Sequence, residues 1–238
     1  MSEKTYSYYE NGMKKSEIEL KNTIAHGELK EWFRNGRLWI HAFYYDGKPN
    51  GKYEKWYSNG NREELRFYKN GELEGESTVW RENGDISLQS FYTNGKMHGT
   101  CKRWHPCGQL WQKFACYNGD LNGENKNWYE NGQPRMHSFY QNNTLNGRLK
   151  EWYKNGYCYM KGYYQNGRAE GEFKRWDEDG SQLETFYYSA GVPIEFALHK
   201  KIILLNVKRK LYSSRRFSGL SDHLISDLRG TVRHFIFP

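Results

Sequence analysis

A tryptophan returns every 24 residues without one insertion or deletion, and this spacing limits the fold more than any other property of the chain. The positions are Trp32, Trp56, Trp80, Trp104, Trp128, Trp152 and Trp176. Five residues before each stands a glycine, from Gly27 to Gly171, and four residues after each stands another, from Gly36 to Gly180. Eight residues further on comes a tyrosine in six of the seven repeats: Tyr44, Tyr68, Tyr92, Tyr140, Tyr164 and Tyr188, with Cys116 taking the place in the fourth. Stepping back one period puts Tyr8 at the tryptophan position and Gly12 at the turn glycine. A degenerate repeat therefore occupies residues 1–26, and seven regular repeats occupy residues 27–194. A fixed period of this length means one supersecondary unit stacked on copies of itself.

The repeat reads as a β-hairpin. Asn-Gly between strand-like segments is the strongest short hairpin signal, because a type I′ turn needs positive φ at both central residues. Asn35-Gly36, Asn59-Gly60, Asn83-Gly84, Asn131-Gly132 and Asn155-Gly156 supply it, with Asp179-Gly180 as the equivalent. The flanking segments are rich in Trp, Tyr and Phe, which suit strands, and no helical period recurs in the array. A second turn, such as Asn70-Gly71, leads into the next repeat. A two-residue turn at Asn59-Gly60 sets Gly51 opposite Tyr68 and Tyr53 opposite Arg66. The Tyr68 ring then covers the bare backbone of Gly51, and the Trp and Tyr columns fall on opposite faces. The fold expected is all-β: an elongated, twisted single sheet of stacked antiparallel hairpins, with about 15–16 strands spaced ~4.8 Å apart. The fourth repeat departs most from the pattern. Pro106-Cys107-Gly108 replaces the Asn-Gly turn and Ala115-Cys116 replaces Phe-Tyr, so a defect in the ladder is expected there.

Leu, Ile and Val are scarce in the array, while aromatic residues make up 17% of the chain. Ring stacking, not a thick aliphatic core, must hold such a sheet. Cys101, Cys107, Cys116 and Cys158 fall at four different positions of the repeat, whereas a disulfide framework would reuse one. Free thiols in a reducing compartment are expected. Met1 to Glu10 carries no apolar signal region, and Ile202 to Leu205 is far shorter than the ~20 apolar residues of a membrane helix. The expectation is a soluble, cytoplasmic protein.

Composition changes after Ile194. Residues 195–238 carry +6 of the net charge of +8. Phe196, Leu198, Ile202, Leu205 and Tyr212 recur at near-helical spacing among Lys and Arg, and a second short helix is expected from Ser221 to Arg229. The bland reading is a helical cap over the last sheet edge. The sharper one is a basic amphipathic segment meeting an anionic membrane through Lys200, Lys201, Lys208, Arg209, Lys210, Arg215 and Arg216.

No motif for chemistry stands out. Cys101, His105 and Cys107 share strand parity, but Cys101 and His105 would sit about 13 Å apart along a strand, too far for one zinc shell. His41 and His137 occupy one repeat position and read as decoration of the repeat. The glycines belong to hairpin turns, not to a strand–loop–helix phosphate cradle. Nucleic acid is disfavoured as a partner, because the array is nearly charge-balanced and such binding draws on phosphate neutralisation. No catalytic residue, cofactor or metal is expected.

The pattern Gly-x4-Trp-Tyr-x-Asn-Gly-x7-Tyr-x-Asn-Gly-x3-Gly, nearly intact in residues 123–147, resembles the MORN repeat. It looks most like the variant form, found also in a bacterial family labelled antitoxins. The resemblance covers residues 5–194 and implies a hairpin array that binds proteins or associates with membranes. It brings no catalytic residues. The function expected is a non-enzymatic scaffold for a protein partner, with self-association through the sheet ends as a further possibility. The alternatives are a peripheral binder of anionic membrane and an antitoxin-like protein that neutralises a toxin.

Overall fold

A computed structural model describes residues 2–195 together with Ile203. The chain divides into two parts, residues 1–192 and 193–238. The helices expected after Ile194, the cap, and Lys200, Lys201, Lys208, Arg209, Lys210, Arg215 and Arg216 lie outside the described residues.

The described residues form one open antiparallel sheet of 20 strands. Each strand pairs with its neighbours in sequence. Ile24–Trp32 pairs with Leu38–Tyr45, which pairs with Lys48–Trp56, which pairs with Arg62–Lys69. The count exceeds the expected one chiefly because three strands are split. Glu72–Leu73, Lys96–Met97 and Thr144–Leu145 are two-residue leaders, each cut off from the strand that follows. The break falls at Glu74, His98 and Asn146, just before the repeat-opening glycine, which takes positive φ in the unbroken strands as well, as at Gly51 (114°).

The turns correct the sequence reading. Positive φ at both central residues occurs at the second turn, not the first: Asn70 has φ 53° and Gly71 90°, and Lys69 pairs directly with Glu72. This is the two-residue type I′ geometry. At the first turn only the glycine is left-handed, as Gly60 is (φ 97°). The Gly60 N–H donates to the Tyr57 carbonyl (2.9 Å), and the Tyr57 N–H donates to the Asn61 carbonyl (2.8 Å). Ser58-Asn59-Gly60 is thus a three-residue loop, with a type I turn followed by a left-handed glycine. Asparagine is chosen here for its amide. Asn59 Oδ1 accepts the Asn61 N–H (2.8 Å), and Nδ2 donates to the Glu82 carbonyl in the next repeat (2.8 Å). Asn131 and Asn155 repeat both bonds.

The register nevertheless agrees with the expected one: Gly51 faces Tyr68 and Tyr53 faces Arg66. Two departures cancel. The third loop residue shifts the pairing by one, and a bulge between Lys55 and Trp56, with Glu63 as the extra residue, shifts it back. A Cβ on Gly51 would meet the Cβ of Phe43, from the strand on its other side, at 3.3 Å.

Alternation puts Gly51, Tyr53, Arg66 and Tyr68 on one side, the Tyr face, and Lys52, Glu54, Trp56 and Phe67 on the other, the Trp face. Contacts agree. The Tyr53 and Tyr68 rings lie 6.1 Å apart. Across the sheet, Glu54 binds Lys52 and Arg62, and Arg62 lies over the Trp80 ring.

Most of the fully buried side chains belong to the Tyr face, at the facing positions of Tyr53 and Arg66, which the sequence reading paired but did not identify as the buried layer. The pairs include Leu29 with Ala42, Ser77 with Ser90, Cys101 with Phe114, Asn125 with Ser138 and Leu149 with Gly162. In several pairs a large residue faces a small one, as Leu29 faces Ala42 and Leu149 faces Gly162, and no position keeps one residue type. The Tyr column is joined through these residues: Phe173 makes edge contacts with Tyr164 (5.4 Å) and Tyr188 (5.0 Å).

The defect expected in the fourth repeat is not there. Gly99 pairs with Cys116 in the same register, with the same bulge. Phe114 fills the room that the missing tyrosine ring leaves, and packs with Cys101, Cys116, Met97 and Leu121. Burying such a phenylalanine contributes about 1.5–3 kcal/mol. Pro106 sits at the first central position of the type I turn, where its fixed φ is already required. Cys107 replaces the asparagine link with a long Sγ–H contact to the Glu130 carbonyl (3.8 Å).

Candidate functional site: the two faces of the sheet

On the Trp face, Trp32, Trp56, Trp80, Trp104, Trp128, Trp152 and Trp176 are all half-buried. Cations cover several of the rings: Lys150 lies 4.7 Å from the Trp152 centroid and Lys161 5.2 Å from Trp176. The tryptophans also serve through their backbone. The Tyr57 hydroxyl donates to the Trp80 carbonyl (3.0 Å), Tyr129 to Trp152 (2.8 Å) and Tyr153 to Trp176 (2.9 Å). Tyr9 does the same to Trp32, Arg81 to Trp104 and His105 to Trp128. Every bond spans 23 residues and ties one repeat to the next. The sequence held a signal for it, since the residue after the tryptophan is a side-chain donor in most repeats.

Charges on the Trp face are neutralised within the face. Glu28 binds Lys30 and His41, and Glu124 binds Lys126 and His137. The neighbouring lysine ammonium, and then the imidazole, hold both carboxyls below their ordinary range. His41 and His137 are thus equivalent partners of a carboxylate at one repeat position, and His41 Nδ1 also lies 3.9 Å from Glu54. What the face leaves open is aromatic. Phe43, Phe67, Phe91 and Tyr163 are 36–44% exposed, at one position of the repeat. Spacing of two strands puts successive rings about 10 Å apart.

The Tyr face is closed along its middle by Tyr44, Tyr68, Tyr92, Tyr140, Tyr164 and Tyr188, and opens at the end near the first turns. There a groove of about 510 Å³ crosses the fourth to sixth repeats. Arg103, Gln112, Asn127 and Glu151 line its floor, with Trp111, Arg135 and Tyr159 beside them. The last three are the bulge residues of their repeats, and a bulge turns one extra side chain to the same side as its neighbour. Burial pushes the Glu151 carboxyl up, against the lowering effect of Arg135.

The thiols do not assemble into a site. Burial, reinforced by the Cys101 thiol beside it, raises Cys116 to about 11. Cys101 and Cys158 are pushed up by burial as well. Cys107 is exposed at its turn. Among the described residues, no group of three or more His, Cys, Asp or Glu could hold a metal ion.

Three segments of the chain, residues 4–22, 49–70 and 121–142, match the MORN repeat variant. The matches fall on the degenerate leading repeat and on the second and fifth regular repeats. MORN repeats are interaction modules for proteins or membranes. No curated protein matches the chain.

Proposed function

From these variant MORN repeats as premise, we propose that the chain is a non-enzymatic scaffold that docks a protein partner on its Trp face. The observation that carries this reading is the half-exposed stripe of Phe43, Phe67, Phe91 and Tyr163. The stripe runs unbroken over three repeats, from Phe43 to Phe91, is interrupted at Ala115, and is backed by paired strands and flanked by charges that pair with one another. Rigid aromatic anchors with a satisfied polar surround are what protein interfaces use for most of their affinity. The test compares the partners that co-purify at native expression with the wild type, with Phe67→Ser/Phe91→Ser and with Tyr159→Ser on the other face. Loss of partners only in the double variant supports the scaffold. A partner set indifferent to the double variant sinks it.

A second reading rests on charge. Residues 195–238 carry +6, enough to draw a segment to an anionic bilayer at about 1 kcal/mol per basic residue near the surface. Co-sedimentation with phosphatidylserine vesicles, for the full chain and for one ending at residue 194, tests it. Equal binding by both forms removes the tail from the account.

A further inference from the structure

We propose that the groove on the Tyr face, over the fourth to sixth repeats, binds a neutral oligosaccharide. Arg103 and Gln112 are already bonded to each other, and Gln112 to Asn125, but Asn127, Glu151 and Arg135 keep unused hydrogen-bonding atoms. Asn127 Oδ1 is buried without a hydrogen-bond partner among the described residues. Glu151 makes no hydrogen bond or ion pair there and feels only the electrostatic pull of Arg135, which lies over the Tyr129 ring (5.8 Å). Unused acceptors and an unused donor therefore sit in one groove. Beside them Trp111 is 39% exposed, with Arg103 within 6.0 Å of its ring. The groove volume falls in the ordinary range of ligand sites, about 300–1,000 Å³.

The mixture selects the chemistry. A polyanion would bring negative charge onto Glu151, a carboxylate already half-removed from water, and a polycation would meet Arg103 and Arg135. Two of a peptide's routes into such a surface are closed; a third, a proline-rich segment on an aromatic-lined groove, is separated by the test, where binding of a PxxP decapeptide in preference to every neutral sugar overturns the proposal. The strands beneath the groove are paired on both sides, so no free edge accepts an added strand. The lining has Met136 and no Leu, Ile or Val, so an amphipathic helix finds no aliphatic seat. A sugar hydroxyl both donates and accepts. It answers Asn127 Oδ1 and Glu151 as a donor and Arg135 as an acceptor. The weakly positive C–H face of a pyranose suits the negative face of the Trp111 ring.

Saturation-transfer NMR and isothermal titration on the full chain test this with maltotetraose, cellotetraose, mannotetraose and chitotetraose. A heparin hexasaccharide, an oligoglutamate and an oligolysine are the charged comparators, and a PxxP decapeptide the proline-rich one. At least one neutral tetrasaccharide is expected to bind with Kd of about 0.01–1 mM. Trp111→Ala and Asn127→Ala should each weaken it by about tenfold or more, and Tyr159→Ala measurably, with the circular dichroism spectrum preserved. Phe67→Ser/Phe91→Ser should leave sugar binding unchanged, so the scaffold reading and this one fail separately. No binding of any neutral probe up to about 10 mM overturns the proposal. Binding of the charged comparators alone, or sugar binding indifferent to both Trp111→Ala and Asn127→Ala, overturns it equally.

Discussion

Replacing Tyr57 by phenylalanine deletes one hydroxyl and keeps the ring. That hydroxyl donates to the Trp80 carbonyl of the next repeat at 3.0 Å. A hydrogen bond of this kind contributes about 0.5–1.5 kcal/mol net. Tyr57→Phe is therefore expected to cost about 1 kcal/mol, or ~2–4 °C in Tm for a chain of this size. Tyr129→Phe removes the 2.8 Å bond to Trp152 at about the same cost. The two sites lie three repeats apart, so the double variant should lose about 2 kcal/mol. Stacked repeats couple only to their neighbours, so hydrogen exchange should quicken around each altered junction and less beyond it. The chain carries its own control. Phe33 occupies this position in the first regular repeat and packs 5.7 Å from the Trp39 ring, with no hydroxyl to offer. Phe33→Tyr supplies the missing donor to Trp56 and should stabilise by up to about 1 kcal/mol. Urea unfolding combined with hydrogen-exchange mass spectrometry reads both effects. If Tyr57→Phe is neutral within ~0.3 kcal/mol and Phe33→Tyr destabilises, this bond does not couple the repeats.

Other outcomes follow from the same geometry. Gly162→Ala drives a methyl into the ring of Phe173, which is 3% exposed, and should cost about 1–3 kcal/mol in thermal or urea melts; a neutral result means the Phe173 ring has room to move. Asn59→Asp keeps the acceptor for Asn61 but loses the donor to Glu82, and should destabilise by about 0.5–1.5 kcal/mol, with Asn59→Ala worse because both bonds go. Glu17 accepts from Lys4 and Lys14, which lower its carboxyl from 4.5 to about 2. A depressed carboxylate stabilises the fold above its unfolded value and loses that contribution as pH falls through the folded one. The first hairpin should thus loosen between pH 4.5 and about 2, as followed by NMR titration, and Glu17→Gln should abolish that dependence. Iodoacetamide should label Cys107 first, and labelling of Cys116 should stay slow until pH nears its value of about 11; early labelling of Cys116 would mean that the strands around it open readily.

Much of the fold was legible because it is arithmetic. The 24-residue spacing gives the hairpins, their order, and the pairing of Gly51 with Tyr68. Even the assumption of a two-residue first turn did no harm, since loop and bulge offset each other. The fourth repeat misled because its sequence was judged one position at a time. Phe114 compensates for Cys116 from a different position, and only their shared face reveals it. The groove was likewise invisible: Trp111, Arg135 and Tyr159 have neither common chemistry nor a motif, only a common bulge.

By itself the sequence determined which strands pair and in what register, because turn glycines and chain length between them act locally. The tertiary structure alone decided which turn takes the left-handed pair, and what each repeat gives the next. Asn59 keeps an ordinary φ because the three-residue loop needs only its glycine left-handed, which leaves the amide free to reach Glu82, and Tyr57 finds a carbonyl within reach at Trp80. Those partners lie 23 residues away in the chain and one hairpin away in space. Only after the sheet has brought them together can a side chain be seen to satisfy both its own turn and the one beside it.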